Sequence, residues 1–207
     1  MSGDAGRFPA VPDGRLDGWT RTDAFSETVF ELSAVSVEGH TVIYEDDRLR
    51  TAVREATGVD RMWRFFFATR LEFSPPLPPG VGPMAVFSTV ASQADDRFVD
   101  ILAERGFRSV SRGRRERVRV ETGGRARLRK YTAVLDVDAG DDAIDLQTAG
   151  MLAVWTVDGE FRLAGGAYPS RPLADVLRIE DSGVDELTAA GENRFREDLL
   201  GVIRAVR

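Results

Sequence analysis

The chain has 207 residues, 43% of them apolar, and a net charge of −6, which suits one domain with a substantial core. It has no cysteine, which excludes disulfides, cysteine-ligated zinc, iron–sulfur clusters and thiol nucleophiles. No apolar run approaches membrane-spanning length, Met151–Trp155 being among the longest. Met1–Gly6 lacks the basic stretch and apolar stretch of a secretory signal. A cytoplasmic address without membrane contact is the expectation.

Residues 1 to 18 are rich in Gly, Pro, Asp and Arg and have no periodicity, so they are expected to form a disordered tail before a single domain over 19–207. Thr28–Val35 has the β-branched and aromatic content of a strand. Glu38-Gly39 is a turn signal and Thr41–Tyr44 a returning strand. Asp46 is placed to cap a short helix carrying Leu49, Ala52, Val53 and Ala56 on one face, with Gly58 to end it. Trp63, Phe65, Phe67, Leu71 and Phe73 then alternate with Arg64, Arg70 and Glu72, the pattern of a half-buried strand.

Pro75–Gly80 stops that strand in an extended loop. Val86–Val90 reads as strand, and Ser92 with Asp95 as the capping box of a helix bearing Phe98, Ile101 and Leu102, ended by Gly106. Two charged strands follow, about Arg114–Glu121 and Arg125–Val137, then an acidic loop from Asp136 to Asp142. Thr148–Val157 is apolar on both faces and should be central in a sheet. Asp158-Gly159 is the strongest hairpin signal in the chain, with Phe161–Ala164 pairing back and Gly165-Gly166 breaking the pattern. Ser182 should cap a last helix, whose apolar stripe includes Phe195, Leu199, Val202 and Val206. This order predicts an α+β fold: an antiparallel β-sheet of five to seven strands with flanking helices, including a C-terminal amphipathic helix.

That order, with Gly18-Trp19, the first hairpin, the Trp155–Gly159 turn and the closing helix, resembles the PsbP-like α+β sandwich family. The resemblance implies a non-catalytic accessory or assembly role. Of 28 basic residues 27 are arginine, Lys130 being the single lysine. An Asp-rich, almost lysine-free surface resembles that of proteins from extreme halophiles, and GC-rich coding produces the same bias.

Several motifs match by letters and fail on physics. Gly80-Val81-Gly82-Pro83-Met84-Ala85 fits the dinucleotide fingerprint, but prolines precede and interrupt it. Leu135-Asp136-Val137-Asp138 resembles the Asp-x-Asp of haloacid-dehalogenase-like phosphatases but has no lysine downstream. Asp136, Asp138, Asp141 and Asp142 lack the spacing of an EF-hand loop and read as a solvated acidic turn. His40, the only histidine, reads as a surface residue at a turn. No cofactor and no obligate metal are expected.

The segment 105–130 stands out. Eleven basic residues against Glu116 and Glu121 give it a charge of +9 and leave −15 on the rest of the chain. A three-residue loop Thr122-Gly123-Gly124 would set Arg119 opposite Arg127 and Arg117 opposite Arg129, with Val118 and Val120 on the other face. Beyond Lys130 the apolar phase switches to Tyr131, Ala133, Leu135 and Val137, which calls for a bulge near Lys130 or a projecting hairpin tip. Two roles compete for Arg115, Arg117, Arg119, Arg125, Arg127 and Arg129. The protein's own acids neutralise them, or they bind an acidic protein or a polyanion such as nucleic acid. The chain is therefore expected to be a non-catalytic binding or accessory protein, with polyanion binding through this hairpin as the alternative.

Overall fold

The computed structural model describes residues 6–32, 35–139, 142–180 and 186–207. Seven strands form one antiparallel sheet: β1 (Trp19–Leu32), β2 (Val35–Asp46), β3 (Phe65–Ser74), β4 (Phe107–Arg119), β5 (Arg125–Ala139), β6 (Asp142–Val157) and β7 (Glu160–Pro169). Their order is β1-β2-β3-β7-β6-β5-β4, which leaves β1 and β4 as edges. The helices are α1 (Asp47–Thr57), α2 (Pro83–Glu104), α3 (Leu173–Val176) and α4 (Glu192–Ala205). The α+β class, the antiparallel sheet and the C-terminal helix are as the sequence implies.

Two long helices cover opposite faces. Phe98 of α2 packs on Phe67, ring centroids 5.7 Å apart, and edge-on against Tyr131 at 4.9 Å. Phe195 and Leu199 of α4 lie on the other face and are fully buried. Consecutive glycines of β7 show why both can come close. A Cβ on Gly165 would stand 3.0 Å from the Phe67 ring, and one on Gly166 would stand 3.2 Å from Leu199 and only 2.1 Å from the Phe65 carbonyl oxygen. Gly165-Gly166 therefore lies inside β7 rather than breaking it.

Coverage on both faces corrects the reading of β3. Phe65, Phe66, Phe67 and Ala68 are all buried, and Arg64 just before them is only 3% exposed. It also explains the phase switch in β5 without any irregularity in that strand. Ala126 and Leu128 are buried on one face, Tyr131, Leu135 and Val137 on the other, while β5 pairs β6 continuously from Arg127 to Ala139. A bulge does occur across from Lys130, but on β4, between Arg112 and Arg115.

Other expectations need correction. Glu38-Gly39 lies within β2, where Gly39 pairs with Glu27 and Leu71. Its glycine serves close packing, since a Cβ there would be 2.7 Å from Val29 Cγ1. Val86–Val90 belongs to α2, which begins at Pro83 behind the N-cap Gly82. Ser92 and Asp95 are thus mid-helix. The fingerprint-like glycines do precede a helix, but residues 75–79 separate them from β3 and the sheet is antiparallel. The last helix starts at Glu192, behind Gly191. The expected acidic loop is mostly strand, with Asp136 and Asp138 in β5 and Asp142 opening β6, while Gly140, Asp141 and the proposed cap Ser182 lie outside the described residues.

Other local signals match. Asp46 Oδ1 accepts from the Leu49 amide at 3.0 Å, and Gly58 closes α1 at φ +76°. Asp158 and Gly159 both have positive φ, 50° and 86°, as a tight hairpin turn requires. Of the residues assigned to a tail, 6–18 are described. Phe8, Val11 and Leu16 pack on the core, and Ala10 and Arg207 exchange backbone hydrogen bonds of 3.1 and 2.9 Å.

Candidate functional site

β4 and β5 bring the six candidate arginines onto the α2 face of the sheet. Arg115 faces Arg129, Arg117 faces Arg127, and Arg119 faces Arg125. The link is Val120–Gly124, two residues longer in all than the three-residue loop expected. Val120 turns into the core at 2% exposure, and its N–H donates to the Gly124 carbonyl at 3.1 Å. The next residue, Glu121, is tied down by its own N–H to the Arg204 carbonyl, 2.8 Å, and by its carboxylate to Arg15, 2.7 Å. The register moves by two residues, so arginines still meet arginines and Val118 and Ala126 still share the apolar face.

The charges at the end of this face away from the hairpin turn are neutralised. Asp95 of α2, 6% exposed, places Oδ2 at 3.0 Å from Arg129 Nη1 and 3.5 Å from Arg115 Nη2. Its other oxygen accepts from the Tyr131 hydroxyl at 2.7 Å. Burial, then that carboxylate, hold the phenol above its usual range. Arg112 reaches Asp96 at 2.5 Å. Arg108 donates to Asp136 of β5 at 2.7 Å and also bonds Asp145, the register partner of Asp136 on β6, so one of the four expected turn carboxylates is spent on an arginine. On the opposite face Lys130 pairs with Glu116 at 2.7 Å.

The end at the turn is different. Arg117, Arg119, Arg125 and Arg127 have no carboxylate within ion-pair distance among the described residues. Arg127 is half-buried, and its pKa is lowered by burial first and by the neighbouring Arg115 and Arg129 as well. Arg115, Arg117, Arg125 and Arg127 line a depression of about 650 Å³ with Thr156, Phe87, Met84 and Glu116, the last paired to Lys130. Met84 is 75% exposed, the most exposed large apolar side chain described. The first turn of α2 carries no acid, so the positive end of its dipole adds to the arginine field.

A second constellation escaped the sequence reading. His40 is fully buried in β2 rather than on a surface turn. Its Nδ1 lies 2.7 Å from Ser26 Oγ and its Nε2 3.1 Å from Glu72 Oε2, on the strands to either side. The residue types match a nucleophile–base–acid relay, but the ring has 0% exposure and no substrate proton can reach it. The trio works as a satisfied polar ladder across three strands. The sequence signal was its place in the period-two run of β2 with Val42 and Tyr44.

Among the described residues no group of three or more His, Asp or Glu side chains is arranged to hold a metal, and no helix is long and apolar enough to cross a membrane. No curated protein and no solved structure matches the chain, so neither comparison ties it to PsbP-like proteins. A family model described as a domain of unknown function matches residues 8–207, and the chain belongs to that family, DUF6517.

Proposed function

We propose that this chain is a non-catalytic binding protein that docks an acidic segment of a partner protein on the arginine face of β4 and β5. The carrying observation is that, among the described residues, Arg117, Arg119, Arg125 and Arg127 stand without a carboxylate at ion-pair distance in a chain of acidic net charge. Like charges set directly across strands are destabilising unless something compensates. Asp95 supplies that compensation at ion-pair distance for Arg115 and Arg129, and acts on Arg127 only through space.

The chemistry beside the arginines favours a protein over a nucleic acid. Met84 and Phe87 offer an apolar contact at the edge of the charged face, and methionine suits adaptable protein contacts. Single-stranded nucleic acid is held by aromatic platforms between basic residues. Here Phe87 at the edge is the one aromatic that lines the depression among the described residues, and Tyr131 in the strand is 2% exposed and committed to Asp95, so no row of rings stands between the arginines. A net charge of −6 also opposes a long polyanion.

A structural reading has its own observation: β4 is an edge strand. Charged side chains on an edge keep it from pairing with another copy. The test titrates the protein with a glutamate-rich peptide carrying one central leucine, and separately with an oligothymidylate, at low and moderate salt. The proposal expects saturable peptide binding that weakens with salt and with Met84→Asp, and weaker binding of the oligonucleotide. Tighter binding of the oligonucleotide rejects the protein-partner reading. Binding of neither, with self-association of the Arg117, Arg119, Arg125 and Arg127→Gln variant, leaves edge protection.

A further inference from the structure

A second, unrelated site lies under the C-terminal half of α2, on the part of the sheet farthest from the arginine face. There α2 bridges β1, β2 and β3 over a cavity of about 280 Å³. That is nearly twice the roughly 150 Å³ of an apolar cavity that accepts benzene, and close to the roughly 300 Å³ at which ligand pockets begin. Phe67 and Ile43 form the floor, Phe98 and Ala94 the helix side, and Phe25 of the edge strand a half-buried flank.

Polar groups enter at two points. On the floor, Thr41 and Thr69 are 7% and 4% exposed, with their hydroxyl oxygens 2.8 Å apart. Two hydroxyls share one hydrogen bond, so one O–H proton of the pair has no acceptor among the described residues. At the rim, two arginines differ. Arg97 bridges Glu104 at 2.9 Å and Glu27 of β1 at 3.5 Å, closing a charged strap from helix to edge strand. Among the described residues Arg105, at the end of α2, has no such partner. Its guanidinium lies 4.8 Å over the Phe65 ring, and its one hydrogen-bonding contact among those residues is Met62 Sδ at 3.6 Å. Asp23, Glu45 and Glu104 are near enough to act on it through space, yet none is within ion-pair distance. Arginine has five N–H donors in a fork matched to a carboxylate, and a sulfur leaves most of them unused.

We infer that this cavity binds a small apolar carboxylic acid, its ring or branched chain among Phe25, Phe67 and Phe98 and its carboxylate on Arg105. An aromatic wall with one convergent cation is the usual make-up of a site that takes such a molecule. The Thr41–Thr69 proton serves a second acceptor on the ligand or a water.

The test uses 3-phenylpropionate as probe and 3-phenylpropanol as its uncharged counterpart, by calorimetric titration of the full chain. The expected result is saturable one-to-one binding of the acid, about tenfold tighter than the alcohol. Arg105→Gln should bring the two to equal affinity. Ala94→Leu, which fills the cavity from the helix side, should abolish binding of both while leaving the denaturation midpoint unchanged or higher. Should that variant fail to fold, Phe25→Trp, at the half-exposed flank, replaces it with the same expectation for binding. Absence of saturable binding of either probe to the wild-type chain overturns the inference. So does binding that survives the filled cavity, or an acid preference that survives Arg105→Gln.

Discussion

Arg129 Nη1 lies 3.0 Å from Asp95 Oδ2, and that one contact divides the arginine face in two. Arg115 and Arg129 belong to the protein's own charge network, and the four arginines nearer the turn have no carboxylate at ion-pair distance among the described residues. Asp95 also receives the Tyr131 hydroxyl at 2.7 Å, so a single buried carboxylate fixes the helix α2 to the strand β5. Replacing Asp95 by Ala leaves a buried phenol hydroxyl and a largely buried guanidinium without acceptors, at a cost of about 3 kcal/mol. Tyr131→Phe removes one bond and its donor together and should cost only about 1–2 kcal/mol. Denaturant unfolding of both variants checks the order. Equal losses would show that Arg129 gains nothing from Asp95.

Gly166→Ala should be the most damaging conservative change in the sheet. Its Cβ would stand 2.1 Å from the Phe65 carbonyl oxygen, an atom held by the ladder between β3 and β7. The expected loss is about 3 kcal/mol or more, or failure to fold. Gly58→Ala, where nothing lies within 4 Å of the added atom but φ is +76°, should cost only about 1 kcal/mol. Paired melts of the two variants test the distinction between crowding and backbone strain.

Phe195 is fully buried on α4, with the Arg64 guanidinium 4.9 Å over its ring and Trp19 sharing the same cation at 4.6 Å. Phe195→Ala should lower stability by about 3–5 kcal/mol, by loss of transfer free energy and by the cavity left. Phe195→Leu should recover more than half of that. A melting temperature unchanged in Phe195→Ala would mean that α4 does not cover this face.

The pH dependence of stability should carry the mark of Asp46. Burial raises its carboxyl above the usual range, partly offset by Arg64, whose Nη1 is 3.0 Å away. A folded pKa above the unfolded one means that the folded state holds the proton more tightly. That contribution is complete below the unfolded pKa of about 3.9 and is lost as pH rises through the folded value. Glu45 shifts in the same direction, again through burial first, and cancels when wild type is compared with Asp46→Asn. The stability of wild type relative to Asp46→Asn should therefore fall as pH rises from about 4 to 7. A relative stability that grows with pH would show that pairing with Arg64 outweighs burial.

The sequence carried the arginine face, the parity of its hairpin and the caps of α1, because each rests on neighbours close along the chain. It did not carry which arginines are neutralised, since Asp95 reaches Arg129 from a different element, thirty-four residues away. Helix α2 was misplaced at its start because Val86, Thr89 and Val90 favour strand locally while their packing against the sheet favours helix. His40 was read as exposed because Glu38-Gly39 reads locally as a turn, and Arg64 because alternation along one strand says nothing of helices on both sides. The cavity under α2 was invisible for the same reason: its walls come from five strands and a helix.

The most direct measurement replaces Arg117, Arg119, Arg125 and Arg127 together by Gln, and follows acidic-peptide binding and the denaturation midpoint on the same sample. Removing unpaired like charges relieves repulsion across β4 and β5. The account predicts that peptide binding is lost while the midpoint stays where it was or rises. A midpoint that falls with no change in binding would contradict it, and would show that acids of the protein itself neutralise these arginines.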